Sequence, residues 1–205
     1  MFKLFTSSNF INKILISFLV VLAYNFIISV NLILSFLILF PLFGSFVIAW
    51  LPNEQKTLMK SLALIISGIT FLFSLALWVN FNKSLSKFQF IETVHYWFPW
   101  DSNSSTYVLL GVDGISLFFV ILTTLLIFVC LLSSWDNIHI HLKEYLLTFL
   151  ILESLLLGVF IILDLLMFYI LFEATLIPMF IMILTWGSRE RKIRAATMLF
   201  LYTLF

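Results

Sequence analysis

"LLMFYILFEATLIPMFIMILTW" (Leu165–Trp186) is long enough to cross the ~30 Å hydrocarbon core of a bilayer as a helix, and it carries one carboxyl group, that of Glu173. An acidic or basic residue at the bilayer centre costs about 2.5–3.5 kcal/mol even on the lenient insertion scale. The apolar length of this stretch fixes the class of fold. Its single carboxyl group poses the functional question.

The rest of the chain agrees with the first part of that reading. Of 205 residues, 63% are hydrophobic and only 10% charged, with a mean hydropathy of +1.18. Ordinary soluble chains are about 25% charged, so this is an integral membrane protein. A net charge of +1 gives no reason to expect a nucleic-acid partner. The single cysteine, Cys130, excludes an internal disulfide or a cysteine metal cluster and reads as helix packing. The bias toward Phe, Leu, Ile, Asn, Lys and Ser is that of AT-rich codons, as in an organelle genome.

Apolar runs mark the spans. Ile11–Trp50 is too long for one helix and reads as two, turning near Ser29–Asn31. Further spans are expected at Met59–Val79, Val112–Trp135, Tyr145–Leu163 and Leu165–Trp186, with another helix beginning at Ile193. The runs lack the short alternation of a transmembrane barrel. The expected fold is therefore all-α, a polytopic transmembrane helix bundle of about six spans plus the start of another. All the Lys and Arg residues except Lys83 and Lys87 then fall on one side, which predicts that side, and the N terminus, to be inside. No small-x-small cleavage site follows the first apolar run, so a signal peptide is not expected. The polar segment from Phe81 to Gly111 holds the cluster "VHYWFPW" (Val94–Trp100), a composition suited to the membrane interface, and reads as an outer lid.

Three acidic residues lie in or against the last two full spans drawn above, Tyr145–Leu163 and Leu165–Trp186. Asp164 sits at the tight connection and is expected to cap the next helix. Glu173 lies about 12 Å below the outer surface and Glu153 about 12 Å from the inner one, at ~1.5 Å per residue. Their depths thus differ by roughly 6 Å in a ~30 Å core, though spacing alone leaves open whether they face each other. Burial disfavours a charged carboxyl, so such a group can take and release a proton. Glu173 is the first candidate for proton transfer and Glu153 the second. Pro178, five residues after Glu173, frees a carbonyl in the preceding turn. His139 and His141 read as loop residues, and no nucleophile–base pair, phosphate loop or metal site is expected.

Three stretches in this order carry a resemblance: "GVDGISLFFVILTTLL" (Gly111–Leu126), "FYILFEATLIPMF" (Phe168–Phe180) and "WGSRERKIRAAT" (Trp186–Thr197). They resemble the first third to half of the subunit 4 family of mitochondrial NADH:ubiquinone oxidoreductase, respiratory complex I. "KFQFIETVHYW" (Lys87–Trp97) is similar to the form found in plants and protists. The resemblance implies an antiporter-like subunit of the inner mitochondrial membrane with its N terminus in the matrix. Such a subunit serves proton translocation and holds no cofactor; NADH, FMN, iron–sulfur clusters and ubiquinone belong to other subunits. It places the essential glutamate of the family on Glu173. Glu153 and Asp113 match positions often acidic in close relatives, without an essential role carried over.

The lysines that partner this glutamate in the family would lie beyond Phe205. The resemblance therefore implies residues 1–30 as an extension with an added helix, and residues 31–205 as the first part of the subunit. That part would be incomplete, and inactive alone, without a separate chain carrying the rest. Other membrane subunits of complex I and lipids are the remaining expected partners. The alternatives are a subunit of a related cation/proton antiporter, and a membrane scaffold without transport.

Overall fold

A computed structural model describes residues 32–85, 87–95, 107–138, 140–187 and 191–204. From Leu34 onward these residues form one compact unit. The expected extension at residues 1–30, its added helix and the cluster from Tyr96 to Trp100 lie outside the described residues. Among the described residues six helices follow one another: α1 (Ile33–Trp50), α2 (Lys56–Asn80), α3 (Gly114–Ser133), α4 (Leu142–Ile161), α5 (Leu165–Trp186) and α6 (Lys192–Leu204). The first five are long and apolar enough to cross a membrane. The chain is thus an all-α polytopic bundle. The helices start and stop within a few residues of the apolar runs, because a backbone in hydrocarbon satisfies its polar groups only inside a helix.

Packing is sequential. α2 lies against α3, α3 against α4, α4 against α5 and α5 against α6, while α2 also reaches α4. α4 is the most enclosed of the spans and α5 the least. α2 buries Met59, Ala63, Ile66, Ser67, Thr70, Ser74 and Leu77, which recur at helical spacing along one face. Aromatic rings join neighbours: Phe36 of α1 meets Phe73 of α2 with centroids 4.9 Å apart, and Phe119 of α3 stacks on Phe160 of α4 at 5.2 Å.

Between α2 and α3 the structure adds something the apolar pattern does not announce. β1 (Gln89–His95) and β2 (Tyr107–Val112) pair antiparallel, so the expected lid is built on a hairpin. The register shifts between Gln89 and Glu92, and Phe90 takes a left-handed φ of 55° there. Such an irregularity re-aims the side chains that follow it. The Glu92 carboxylate is buried and meets the first turn of α1. It accepts from the Leu34 N–H at 2.7 Å, from the Ser35 N–H at 2.9 Å and, by a short bond, from the Ser35 hydroxyl. The other strand is fixed to the α4–α5 connection. Leu163 donates to the Leu109 carbonyl at 2.9 Å, and Leu110 bridges to Ile162. A Cβ on Gly111 would stand 2.7 Å from Leu163 Cδ1, so a larger residue there requires the Leu163 side chain to shift.

Glu92 therefore ties the hairpin to the start of α1. Glu92→Ala should leave two backbone N–H groups unpaired at about 1–3 kcal/mol each, and Glu92→Gln should cost less because its amide oxygen still accepts. Thermal unfolding of the purified protein in detergent checks this: the midpoint falls in the order wild type, Gln, Ala.

Candidate functional site

A seam of hydroxyl groups runs through the middle of the bundle. Ser67, Thr70 and Ser74 of α2, Thr124 of α3, and Glu153 and Ser154 of α4 are almost wholly buried. Ser74 and Thr124 share a hydrogen bond of 2.9 Å between α2 and α3. Ser154 donates to the Ile38 carbonyl of α1 at 2.6 Å. Thr70 Oγ1 lies 2.5 Å from Glu153 Oε1 and 2.8 Å from the Ser67 carbonyl. Among the described residues, Glu153 Oε2 has no hydrogen-bond partner. The ion pair of His141 with Glu144, 3.7 Å apart, is exposed and lies at the start of α4. Glu153 is thus a fully buried carboxyl group of the bundle with one hydroxyl partner among the described residues, Thr70.

Glu173 is placed quite differently. Gly158 of α4 brings that helix so close to α5 that a Cβ there would stand 2.8 Å from Leu171 Cδ1. Leu171 therefore faces α4. Two residues on, at about 100° per residue, Glu173 points the other way. It is half-buried, and the face it shares is otherwise apolar and exposed: Leu166, Ile170 and Ile177. Tyr169, one turn earlier, sets its hydroxyl toward the Glu173 carboxyl. Glu153 and Glu173 thus do not face each other. One points into the bundle toward α2, the other away from α4.

The remaining sequence candidates are structural. Asp164 accepts from Leu166 N–H at 3.0 Å and caps α5. Asp113 caps α3 with a reciprocal box, accepting from the Ile115 and Ser116 N–H groups while Ser116 Oγ accepts from Asp113 N–H. Pro178 is buried within α5, where the missing N–H leaves the Ala174 carbonyl, next to Glu173, without its helical donor. Cys130 is exposed, so its expected role in packing does not hold within this chain. His139 lies outside the described residues, and His141 begins α4 with a φ of 51°. No cluster of three or more metal-binding side chains occurs among the described residues.

Residues 162–205 match the family described as NADH:quinone oxidoreductase/Mrp antiporter, transmembrane. The chain is 55% identical over 164 residues to NADH-ubiquinone oxidoreductase chain 4 of Chondrus crispus, covering 80% of this chain and 32% of that protein. It is 53% identical over 171 residues to the protein of the same name from Arabidopsis thaliana, covering 83% and 34%. The chain thus spans about a third of the length of the curated relatives it matches. Among solved structures, a chain of the membrane-bound sulfane sulfur reductase, an archaeal respiratory membrane complex, shares the fold. Its TM-score is 0.62 at 19% identity, over 84% of this chain and 25% of that one.

Residues of the hydroxyl seam should be coupled across helices. In a double-mutant cycle of Ser74→Ala and Thr124→Val, measured by unfolding in detergent, the expected coupling is about 0.6 kcal/mol, typical of interhelical hydrogen bonds in membrane proteins.

Proposed function

We propose that the chain is a member of the NADH:quinone oxidoreductase/Mrp antiporter family, whose model its residues 162–205 match, and that it is a membrane subunit of a respiratory NADH:ubiquinone oxidoreductase. In this reading it contributes to proton translocation and carries no redox group. NADH, FMN, iron–sulfur clusters and ubiquinone act on other subunits, whose electron transfer drives the proton movement. Glu173 is the intramembrane carboxyl that accepts and releases the proton. The complex lies in the mitochondrial inner membrane, with the end of the bundle that carries Lys56, Lys60, Lys143, Arg191, Lys192 and Arg194 toward the matrix.

The observation that carries this reading is the placement of Glu173 on the open, apolar face of α5. A carboxyl group directed at lipid is costly. A carboxyl directed at a neighbouring subunit segment with a basic side chain is held and made responsive, since an approaching cation favours its ionised form. Residues corresponding to the rest of the relatives' length are the natural source of that partner, whether carried by this or another polypeptide. Proton transfer then consists of loading Glu173 when the partner withdraws and discharging it when the partner returns. The Ala174 carbonyl freed by Pro178 offers a water acceptor beside it.

Two measurements test the reading. On native gels of mitochondrial membranes, peptides of this chain should comigrate with NADH dehydrogenase activity; migration elsewhere removes the assignment to that complex. Glu173→Gln should leave assembly and NADH:ubiquinone electron transfer in place while the number of protons moved per electron falls. An unchanged ratio in the assembled variant removes the proton-transfer role from Glu173.

A further inference from the structure

The Thr70 hydroxyl touches two oxygens but has one proton to give. The Ser67 carbonyl, 2.8 Å away, can only accept. Glu153 Oε1, 2.5 Å away, accepts if the carboxyl is ionised and donates if it is protonated. With Glu153 ionised, one proton must serve both contacts. With Glu153 protonated, its O–H donates to Thr70 Oγ1 and Thr70 donates to the Ser67 carbonyl, so each contact has its own proton. The surroundings favour the second arrangement. Glu153 is fully buried, its Oε2 has no partner among the described residues, and no cation pairs with it there. A carboxylate held by one hydrogen bond and no counter-ion is among the costliest groups to bury. From every packed element the neighbours are neutral or turned away. The buried polar residues of α2 are Ser67, Thr70 and Ser74, of which Thr70 meets Glu153, and those of α3 are Thr123 and Thr124. α1 is met by Ser154, while Glu173 of α5 points away from α4. Lys60 is held at the end of the bundle by the Trp135 carbonyl.

We propose that Glu153 is a second intramembrane proton-binding site, loaded in the arrangement described, with the Thr70 hydroxyl as its switch. Loaded, Glu153 donates to Thr70 and Thr70 to Ser67. On discharge the Oε1–H bond breaks and the proton leaves on a water molecule. The Thr70 hydroxyl then rotates from the Ser67 carbonyl to donate to the new carboxylate. Thr70 keeps its own proton throughout, so it acts as a positioning residue. Reloading reverses each step. The site rests on the proton-translocating reading above but uses neither Glu173 nor a partner from outside the described bundle.

The test uses native membranes containing the assembled complex, comparing Glu153→Gln, Thr70→Val, Thr70→Ser and Glu173→Gln. Protons moved per electron passed from NADH to ubiquinone are measured with infrared spectra of the carboxylic C=O region. Gln at position 153 donates to Thr70 as the protonated acid does, so assembly and electron transfer are expected to persist. The proton ratio is expected to fall, and a deuterium-sensitive carboxylic absorption to disappear. Thr70→Val should shift that absorption and lower the ratio, and Thr70→Ser should restore both. A Glu153→Gln complex with the wild-type ratio overturns the proposal, whatever Glu173→Gln does. If Glu153→Gln fails to assemble, the threonine pair decides: Thr70→Val with a wild-type ratio and absorption overturns it. A normal ratio in Glu173→Gln beside a lowered one in Glu153→Gln would instead overturn the role given to Glu173.

Discussion

The bundle depends on what happens at the ends of its helices. Inside hydrocarbon the backbone closes on itself, but each terminus leaves groups unsatisfied, positive at the start and negative at the end. Here α1, α3 and α5 begin at the hairpin end, and each start meets a carboxylate: Glu92, Asp113 and Asp164. The same helices finish at the opposite end, and each finish meets a lysine. Lys143 donates to the Leu51 carbonyl at 2.9 Å, Lys192 to Thr185 at 3.3 Å, and Lys60 to Trp135, over whose ring it also lies. The clustering of basic residues on one side thus has a local structural use besides orientation. Lys143 and Lys60 each sit on an even-numbered helix and close an odd-numbered one, so the caps also join neighbours.

This arrangement explains why the hairpin belongs to the bundle. Asp113 and Asp164 lie immediately before the helices they cap, as local sequence allows. α1 has no such neighbour among the described residues, and its cap comes from Glu92, 58 positions after Leu34. A long-range cap needs a rigid carrier. The two strands, the irregularity at Phe90 and the bridge from Leu110 to Ile162 supply it. The hairpin thereby links the start of α1 to the turn between α4 and α5, the two helices that bear the candidate carboxyls.

What the sequence disclosed follows from the range of the interactions involved. Spans are set by runs of apolar residues, and Leu165–Trp186 is read from them with both ends correct. Asp164 is recognised because capping is local. Glu92 is invisible to the same reading, since nothing in "KFQFIET" says that its carboxyl reaches another helix. Glu153 and Glu173 were both legible as carboxyls at similar depth, but depth comes from counting and direction from packing. The direction of Glu173 is decided by the contact of Leu171 with Gly158, a pair that no single-helix pattern contains. The hydroxyl seam was legible in part: Ser67, Thr70 and Ser74 share one helical face, yet only the position of α4 shows that the face meets Glu153.

The two carboxyls consequently stand in opposite relations to the rest of the molecule. Glu173 faces outward, so whether it carries charge depends on what covers α5. Glu153 is enclosed within the chain itself, with the Thr70 hydroxyl of α2 as its partner. Between them lies the close α4–α5 contact, where Gly158 meets the Leu171 side chain. Close packing of this kind transmits displacement instead of absorbing it. A movement of α5 that follows the charge on Glu173 must therefore be felt by α4, one and a half turns from Glu153. The chain thus places an outward-facing carboxyl and an enclosed one on the two sides of a single close contact.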